Sequence, residues 1–362
     1  MGNQLRDYAS KQAAPGTPEY NAALRGALRS AANSLSTGDD EYDFSRSIVL
    51  PQASAGTGDT TVLQIDMDSR YSAWLSQMAD EPIVQFNLAN CSKKLNGRIV
   101  GGTRIKDPRC FSEVAATFES SAKPFCSAVL ISSNILLTVA HCLCDTTMQY
   151  AVFGLNLRDP QNFRFSVAGQ KIHESVKCKG TGASDDAFQQ SIIGHDIGII
   201  RLSKDVPVTV AQPRALLPSD PTVDFYKIGN KNLVVVGFGH SEVDPNTPEW
   251  PTDQRQKRFG VTALVSPDCT GTDSRRYGCA PDKEMLAKDA HLVGPCPGDS
   301  GGGAYMLSDQ NGSNAKVPIL VGLNSRSIPQ HVYPCGDGAI YTALTADNVS
   351  WINRAIIELT GG

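Results

Sequence analysis

The stretch Gly298-Asp299-Ser300-Gly301-Gly302-Gly303 decides how the rest of this sequence is interpreted. It sets one serine among glycines, which let a backbone approach a ligand closely or adopt left-handed conformations. Two stretches upstream supply a histidine and an aspartate, Leu137-Thr138-Val139-Ala140-His141-Cys142 and His195-Asp196-Ile197-Gly198-Ile199-Ile200-Arg201-Leu202. The three side chains, in the order histidine, aspartate and serine, fit a general base, the carboxylate that orients it and a nucleophile.

The chemistry needs these three residue types together. A serine hydroxyl is a poor nucleophile at neutral pH, and a neighbouring imidazole must accept its proton during attack. His141 is the candidate base, because the ordinary imidazole pKa of about 6.5 suits proton transfer near neutrality. Asp196 would hold the ring in the required tautomer and stabilise the imidazolium. His195 offers a second imidazole, which we interpret as a loop residue beside Asp196 rather than as the base.

Together these stretches resemble the trypsin/chymotrypsin family of serine proteases, from about Ile99 to the C-terminus. The resemblance implies two antiparallel six-stranded β-barrels, a catalytic cleft between them and a C-terminal helix. The residues themselves favour an all-β fold, because short β-rich runs such as 128–131 and 319–323 alternate with Gly, Pro, Asn and Asp turns. Residues 347–359 place their apolar side chains on one helical face, which predicts the final helix.

The resemblance also assigns roles to residues around the serine. The backbone N–H groups of Gly298 and Ser300 would form the oxyanion hole for the tetrahedral intermediate, and a side chain at position 298 would crowd that approach. Ser325 resembles the family serine that supports the buried aspartate.

A further segment, Arg98-Ile99-Val100-Gly101-Gly102, resembles the cleavage switch of the family. Cutting after Arg98 would free the α-amino group of Ile99. In the family this ammonium inserts into the domain and pairs with the aspartate before the nucleophile, here Asp299. An unpaired buried carboxylate is costly, so the pair would order the oxyanion loop. An ordinary surface loop at Arg98 is the alternative.

The specificity pocket is where the sequence departs from the family pattern. Trypsin carries an aspartate on the pocket floor six residues before the nucleophile, where this chain has Gly294. The cleft edge, usually Ser-Trp-Gly, reads Ser325-Arg326-Ser327, and we also assign Ala339 to the pocket. We expect a preference for small or medium uncharged side chains. The alternatives are acidic substrate residues bound by Arg326, or Asp337 taking the place of the missing aspartate.

The chain has ten cysteines, more than a cytosolic enzyme of this size usually carries. The resemblance implies three disulfides, and the four remaining cysteines are interpreted as two more pairs, with free buried thiols as the alternative. The three are Cys126–Cys142, Cys269–Cys279 and Cys296–Cys335, and the further two are Cys144–Cys178 and Cys91–Cys110. The last pair would keep a cleaved N-terminal segment attached.

Residues 1–98 are interpreted as a pro-region or regulatory segment that precedes a protease domain over 99–362. Thr17-Pro18-Glu19 predicts the start of an amphipathic helix of about four turns, ending near Gly38. Residues 52–60 resemble a flexible linker. The helix either packs on its own protein or recruits a partner or membrane surface.

The bulk composition points neither to a nucleic-acid partner nor to a membrane-spanning segment. A net charge of −4 gives no reason to expect a nucleic-acid partner, and no apolar run approaches the roughly 20 residues that cross a bilayer. We expect no cofactor and no metal. The cysteines favour a secreted or extracytoplasmic protein, whereas the first residues do not form a signal peptide, so a cytoplasmic location is the alternative.

The sequence therefore predicts a serine endopeptidase precursor that is activated by cleavage after Arg98. It would act on protein or peptide substrates through an acyl-enzyme on Ser300, and it would need an activating protease. A catalytically silent binding module on the same fold is the alternative.

Overall fold

The computed structural model describes Cys91 and residues 103–119, 125–214, 232–239, 256–288, 294–309, 316–328 and 338–361. The predictions for the helix and linker within residues 1–90, for the switch at Arg98-Ile99, and for Cys335 and Asp337 lie outside these residues.

Six antiparallel strands close the first barrel in the order β2-β3-β4-β7-β6-β5. They are β2 (Val114–Phe118), β3 (Cys126–Leu130), β4 (Ile135–Thr138), β5 (Tyr150–Phe153), β6 (Phe163–Ile172) and β7 (Gly198–Leu202). The ring closes because β2 pairs with both β3 and β5. Strand side chains alternate between faces, so Leu136 joins the core cluster of the first barrel alone while Leu137 joins a cluster with residues of both barrels.

The second barrel also closes through six strands, and a seventh, β1 (Thr103–Arg104), pairs with β9 (Arg258–Ser266). The other strands are β8 (Asn232–Gly237), β10 (Glu284–Ala287), β11 (Gly303–Asp309), β12 (Lys316–Ser327) and β13 (Ala339–Ala343). Their order is β1-β9-β10-β13-β12-β11-β8, and β8 returns to pair with β9. The predicted pair of six-stranded barrels is therefore confirmed.

Three α-helices lie among the described residues: α1 (Asp185–Ile192), α2 (Thr272–Arg276) and α3 (Ala346–Thr360). α3 is the predicted C-terminal helix. The Thr345 side chain caps its start by accepting a hydrogen bond from the Asn348 N–H, and Gly361 ends it in the left-handed conformation that glycine tolerates. Its buried residues Trp351 and Ile352 belong to the core shared by both barrels. No helix in the described part of the chain is long and apolar enough to cross a membrane.

The structure forms four of the five expected disulfides, Cys91–Cys110, Cys126–Cys142, Cys144–Cys178 and Cys269–Cys279. Cys296 is also disulfide-bonded, and its expected partner lies outside the described residues. Cys91 is fully buried, and its carbonyl accepts a hydrogen bond from the Lys106 N–H. A residue that precedes the expected domain boundary is thus part of the folded core.

Candidate active site

His141 and Asp196 meet because the strands that carry them are neighbours. His141 lies in the short 3-10 turn that follows β4, and Asp196 lies just before β7, which is antiparallel to β4. His141 Nδ1 is 2.8 Å from Asp196 Oδ2, and the His141 backbone N–H donates to Oδ1 at 2.9 Å. The carboxylate is fully buried, whereas the imidazole remains 24% exposed. One ring edge is therefore held while the ring stays accessible.

The second barrel completes the environment of Asp196. The Ser325 hydroxyl donates to Asp196 Oδ2 at 2.6 Å, which is the contact expected for this serine. The pairing register of β12 shifts between Asn324 and Arg326, so Ser325 sits at an irregularity of the kind that redirects side chains near functional sites. The Thr342 hydroxyl donates to the Asp196 carbonyl at 3.0 Å. Asp196 thus links the two barrels.

The charges of this pair shift both pKa values. Burial alone would raise the pKa of Asp196, but attraction to His141 and hydrogen bonds from His141 and Ser325 hold it below its ordinary value. Burial alone would lower the pKa of His141, and Arg326 lowers it further. Attraction and hydrogen bonding to Asp196 outweigh both effects, so the pKa of His141 is raised. The site therefore stabilises the protonated form of His141 relative to a histidine in water.

Ser300 lies on a tight turn that is held from two sides. Its carbonyl accepts a hydrogen bond from the Ser127 N–H at 2.8 Å, and the Gly301 N–H donates to the Asn324 carbonyl at 2.8 Å. Gly298 and Gly301 have φ of 95° and 79°, which explains the need for glycine at both positions.

The turn that carries Ser300 lies close to the histidine segment. The Ser300 carbonyl oxygen is 4.0 Å from Sγ of Cys142, the residue that follows His141. The turn is therefore held beside the histidine.

Ser127 contributes to the site although no sequence motif points to it. Its hydroxyl donates to the Gly298 carbonyl at 2.8 Å and accepts from the Phe238 N–H at 3.1 Å. With the backbone contact to Ser300, one residue of β3 holds both residues whose N–H groups are the candidate oxyanion hole. No local motif marks this serine, because its partners are far away in sequence.

Replacing Ser127 with alanine is expected to leave the buried Phe238 N–H without its acceptor. We expect the free energy of unfolding to fall by about 1–3 kcal/mol, the usual cost of an unsatisfied buried donor. Denaturant unfolding of the Ser300→Ala protein with and without Ser127→Ala measures this change and avoids self-digestion. Ser203→Ala, a change at an exposed serine, is the matched control. Equal unfolding midpoints for the Ser127 variant and its parent would contradict the assignment.

Asp299 is a buried carboxylate, 4% exposed. The Gly239 N–H donates to its Oδ1 at 2.7 Å and the Cys296 N–H to its Oδ2 at 3.0 Å. Burial outweighs these hydrogen bonds and a weaker attraction to Arg258, so the pKa of Asp299 rises to about 6. The contacts described here leave much of the cost of burying this charge uncompensated.

The expected specificity residues come together in part. Ser327 pairs with Ala339 across β12 and β13, and Gly294 is buried just before the turn that carries Ser300. Arg326 forms a bidentate pair with Glu284, with Nη1 2.6 Å from Oε1 and Nη2 2.8 Å from Oε2. Because Glu284 balances its charge, Arg326 is a weaker candidate for binding acidic substrate residues than the sequence suggested.

One cluster has the composition of a metal site. One ligand atom each of Cys126, His141 and Cys142 lies within 4.8 Å of the others. The two cysteines form a disulfide with each other, so they offer no thiolates to a metal.

Comparisons with known proteins agree with this architecture. A family model described as Trypsin matches residues 99–352, more than half of the chain. Chymotrypsin-like elastase family member 1 from Felis catus is 24% identical over 279 residues, covering 72% of this chain and 90% of that protein. Phenoloxidase-activating factor 3 from Holotrichia diomphalia is 28% identical over 282 residues, covering 74% of each.

Two solved structures share the fold at low identity. Neuropsin, a serine protease expressed in the limbic system of mouse brain, has a TM-score of 0.52 at 19% identity, covering 73% of this chain and all of that one. Human heparin binding protein has a TM-score of 0.50 at 19% identity, covering 71% and 96%. The family model, the relatives and the two barrels agree, and the chain belongs to the trypsin/chymotrypsin family of serine proteases.

Proposed function

We propose that the protein is a serine endopeptidase in which Ser300 attacks the substrate carbonyl, His141 accepts its proton and Asp196 orients His141. The observation that carries the proposal is the chain of hydrogen bonds from Ser325 through Asp196 to His141. An isolated buried carboxylate would be costly, whereas here it is paired with a ring that remains partly accessible. Attack would give an acyl-enzyme that water then hydrolyses.

Family membership alone does not supply this conclusion, since one structural neighbour is described as a protease and another as a heparin binding protein. The test is covalent labelling of the protein, cut after Arg98, with a fluorophosphonate probe. We expect one label per chain on Ser300, and none on Ser300→Ala. Protein that is cut and folded but takes up no label would favour the binding module on the same fold.

The proposal includes activation by cleavage after Arg98, which another protease would perform. The buried Asp299 supports it, because its raised pKa marks a site where a cation would relieve an uncompensated charge. The Ile99 ammonium released by cleavage would be that cation. Comparing cut and uncut protein on one peptide ester tests the step. We expect the uncut form to be at least about 10²-fold slower, the cost of losing one oxyanion donor. Equal rates would refute it.

The pKa of Asp299 predicts how stability depends on pH in the uncut chain. Its pKa in the folded state, about 6, exceeds the ordinary 3.8, so the folded state binds more protons between these values. The contribution of Asp299 to the free energy of unfolding is fully present below pH 3.8 and is lost as pH rises through 6. The full loss is about 3 kcal/mol, at about 1.36 kcal/mol per pKa unit.

Asp299→Asn removes this titration. The free energy of unfolding of the Asn variant minus that of the uncut parent should therefore rise by about 2 kcal/mol between pH 4 and pH 7, most of the full effect. Urea unfolding at several pH values measures it, with Ser300→Ala in both chains. Asp186→Asn, at an exposed carboxylate of α1, is the control. A constant difference across this pH range would show that Asp299 does not carry an uncompensated charge.

The remaining parts of the proposal concern substrate, location and the N-terminal segment. Proteins or peptides with small or medium uncharged side chains at the cleavage site are the proposed substrates, since Gly294 places no carboxylate at the usual position. The disulfides favour secretion into an oxidising compartment. The Cys91–Cys110 bond would keep residues 1–98 attached after cleavage, as a pro-region or a site for a partner. Non-reducing gels of cut protein would show one band, which separates on reduction.

A further inference from the structure

Glu284 opens strand β10 and is completely buried. Its carboxylate accepts four hydrogen bonds. Two come from Arg326, and two come from backbone N–H groups, Gly194 to Oε1 at 2.8 Å and Ala280 to Oε2 at 2.7 Å. A buried carboxylate is tolerated only with such compensation, and hydrogen bonds to a charged group are stronger than those to a neutral one.

The partners of Glu284 lie on both sides of Asp196. Gly194 is two residues before Asp196, with φ of 74°, and a side chain there would meet Lys283, the residue before Glu284. Arg326 follows Ser325, whose hydroxyl donates to Asp196 Oδ2, and Arg326 Nη1 is itself 3.4 Å from the Ser325 hydroxyl oxygen. One carboxylate therefore connects the backbone that leads to Asp196 with the segment that supplies its hydroxyl donor.

We propose that Glu284, together with Arg326, is a positioning residue that fixes Asp196 and thereby the orientation of His141. This inference rests on the proposed function, because the proposed function is what assigns Asp196 the role of orienting His141. Glu284 contacts the two segments that flank Asp196 rather than Asp196 itself. Losing it would free the Gly194 backbone and leave the neighbouring guanidinium without its counter-charge.

The charged groups around His141 predict a change in the pH dependence of activity that a simple loss of packing would not cause. Asp196, just before β7, pairs with the ring, Arg326 of β12 acts on it through its charge, and Glu284 of β10 pairs with Arg326. His195 and Lys283 form a further contact beside Asp196, with Lys283 Nζ 3.1 Å from His195 Nε2. Arg326 lowers the pKa of His141. Removing the carboxylate strengthens this effect, and removing the guanidinium abolishes it.

The two single variants are therefore expected to move the pH profile in opposite directions. In Glu284→Gln the acid limb of kcat/KM should shift to lower pH, and in Arg326→Gln it should shift to higher pH. The double variant should return it towards the parent value. Loosening of the Asp196 backbone should lower the plateau kcat of Glu284→Gln about 10- to 100-fold, since small misplacements of catalytic groups have effects of this size.

The experiment uses full-length protein cut after Arg98, with kcat and KM measured on a peptide ester across pH. Glu358→Gln, which removes an exposed carboxylate paired with Lys171 on the surface, is the matched control and should leave the profile unchanged. Should Glu284→Gln fail to fold, Arg326→Gln carries the test, because its side chain is partly exposed. Fluorophosphonate labelling of the parent at Ser300 is measured in parallel.

The outcomes separate this inference from the function on which it rests. A parent that is not labelled and hydrolyses no ester overturns the proposed function. A labelled and active parent whose variants share its kcat and acid limb overturns the positioning role alone. The same holds if the variants lower only the unfolding midpoint, since Glu284 would then be purely structural. Opposite shifts of the acid limb, with reduced kcat in Glu284→Gln, would support the inference.

Discussion

Replacing Ser300 with alanine is expected to lower kcat of the cut protein about 10⁶-fold, the largest effect of any single change considered. Alanine removes the only atom of residue 300 able to bond covalently to the substrate carbonyl, whereas the backbone N–H groups of the proposed oxyanion hole remain. Because those donors act on their own, a residual rate about 10³–10⁴-fold above the uncatalysed reaction should persist. Peptide-ester hydrolysis at saturating substrate measures this loss.

Two comparisons make the Ser300→Ala result specific. His141→Ala should cost about as much as Ser300→Ala, and the double variant hardly more, because the two side chains act as a unit. Ser203→Ala, at an exposed serine, should keep full activity. Losses that simply multiplied in the double variant would show that His141 and Ser300 contribute separately, which contradicts the proposed proton transfer.

Replacing Asp196 with asparagine is expected to lower kcat about 10⁴-fold with little change in KM. Asp196 accepts two hydrogen bonds from His141, one from Nδ1 and one from the backbone N–H. An amide presents one acceptor and one donor in place of two acceptors. Its donor would stabilise the imidazole tautomer that cannot accept the Ser300 proton.

The pH profile gives Asp196→Asn a second, independent readout. Asp196 holds the pKa of His141 above the value that burial would give, so removing the charge should lower that pKa and move the acid limb to lower pH. Asp186→Asn, at an exposed carboxylate, is the control. Full kcat and an unchanged acid limb in Asp196→Asn would contradict a role for Asp196 in the mechanism.

The sequence predicted the parts of the site that follow from local patterns. His141 and Asp196 stand next to apolar runs that become β4 and β7, so the pairing of these strands brings the two side chains together. Gly298 and Gly301 adopt left-handed backbone conformations, which glycine tolerates best. The glycines around Ser300 therefore indicated a tight turn from the sequence alone. The same motifs carry the resemblance to the trypsin/chymotrypsin family. That resemblance then predicted the two barrels and the role of Ser325.

Other parts depend on contacts that no local pattern shows. Ser127 contacts Gly298 across 171 positions, and Glu284 contacts Gly194 across 90. From the sequence, binding of acidic substrate residues by Arg326 is one alternative for the pocket, because the sequence does not show that Glu284 pairs with Arg326. One signal was present, since Glu284 opens a short buried strand, Glu-Met-Leu-Ala, and a charged side chain in a buried strand requires a partner.

The central claim is that Ser300 forms a covalent ester with its substrate, and acid-quenched mass spectrometry tests it most directly. Protein cut after Arg98 is mixed with a slowly released ester substrate, quenched within the first turnover and digested. We predict that the peptide containing Ser300 carries the mass of the acyl group, in up to one adduct per chain. Ester hydrolysis without this adduct, or with the acyl group on another residue, would contradict the account.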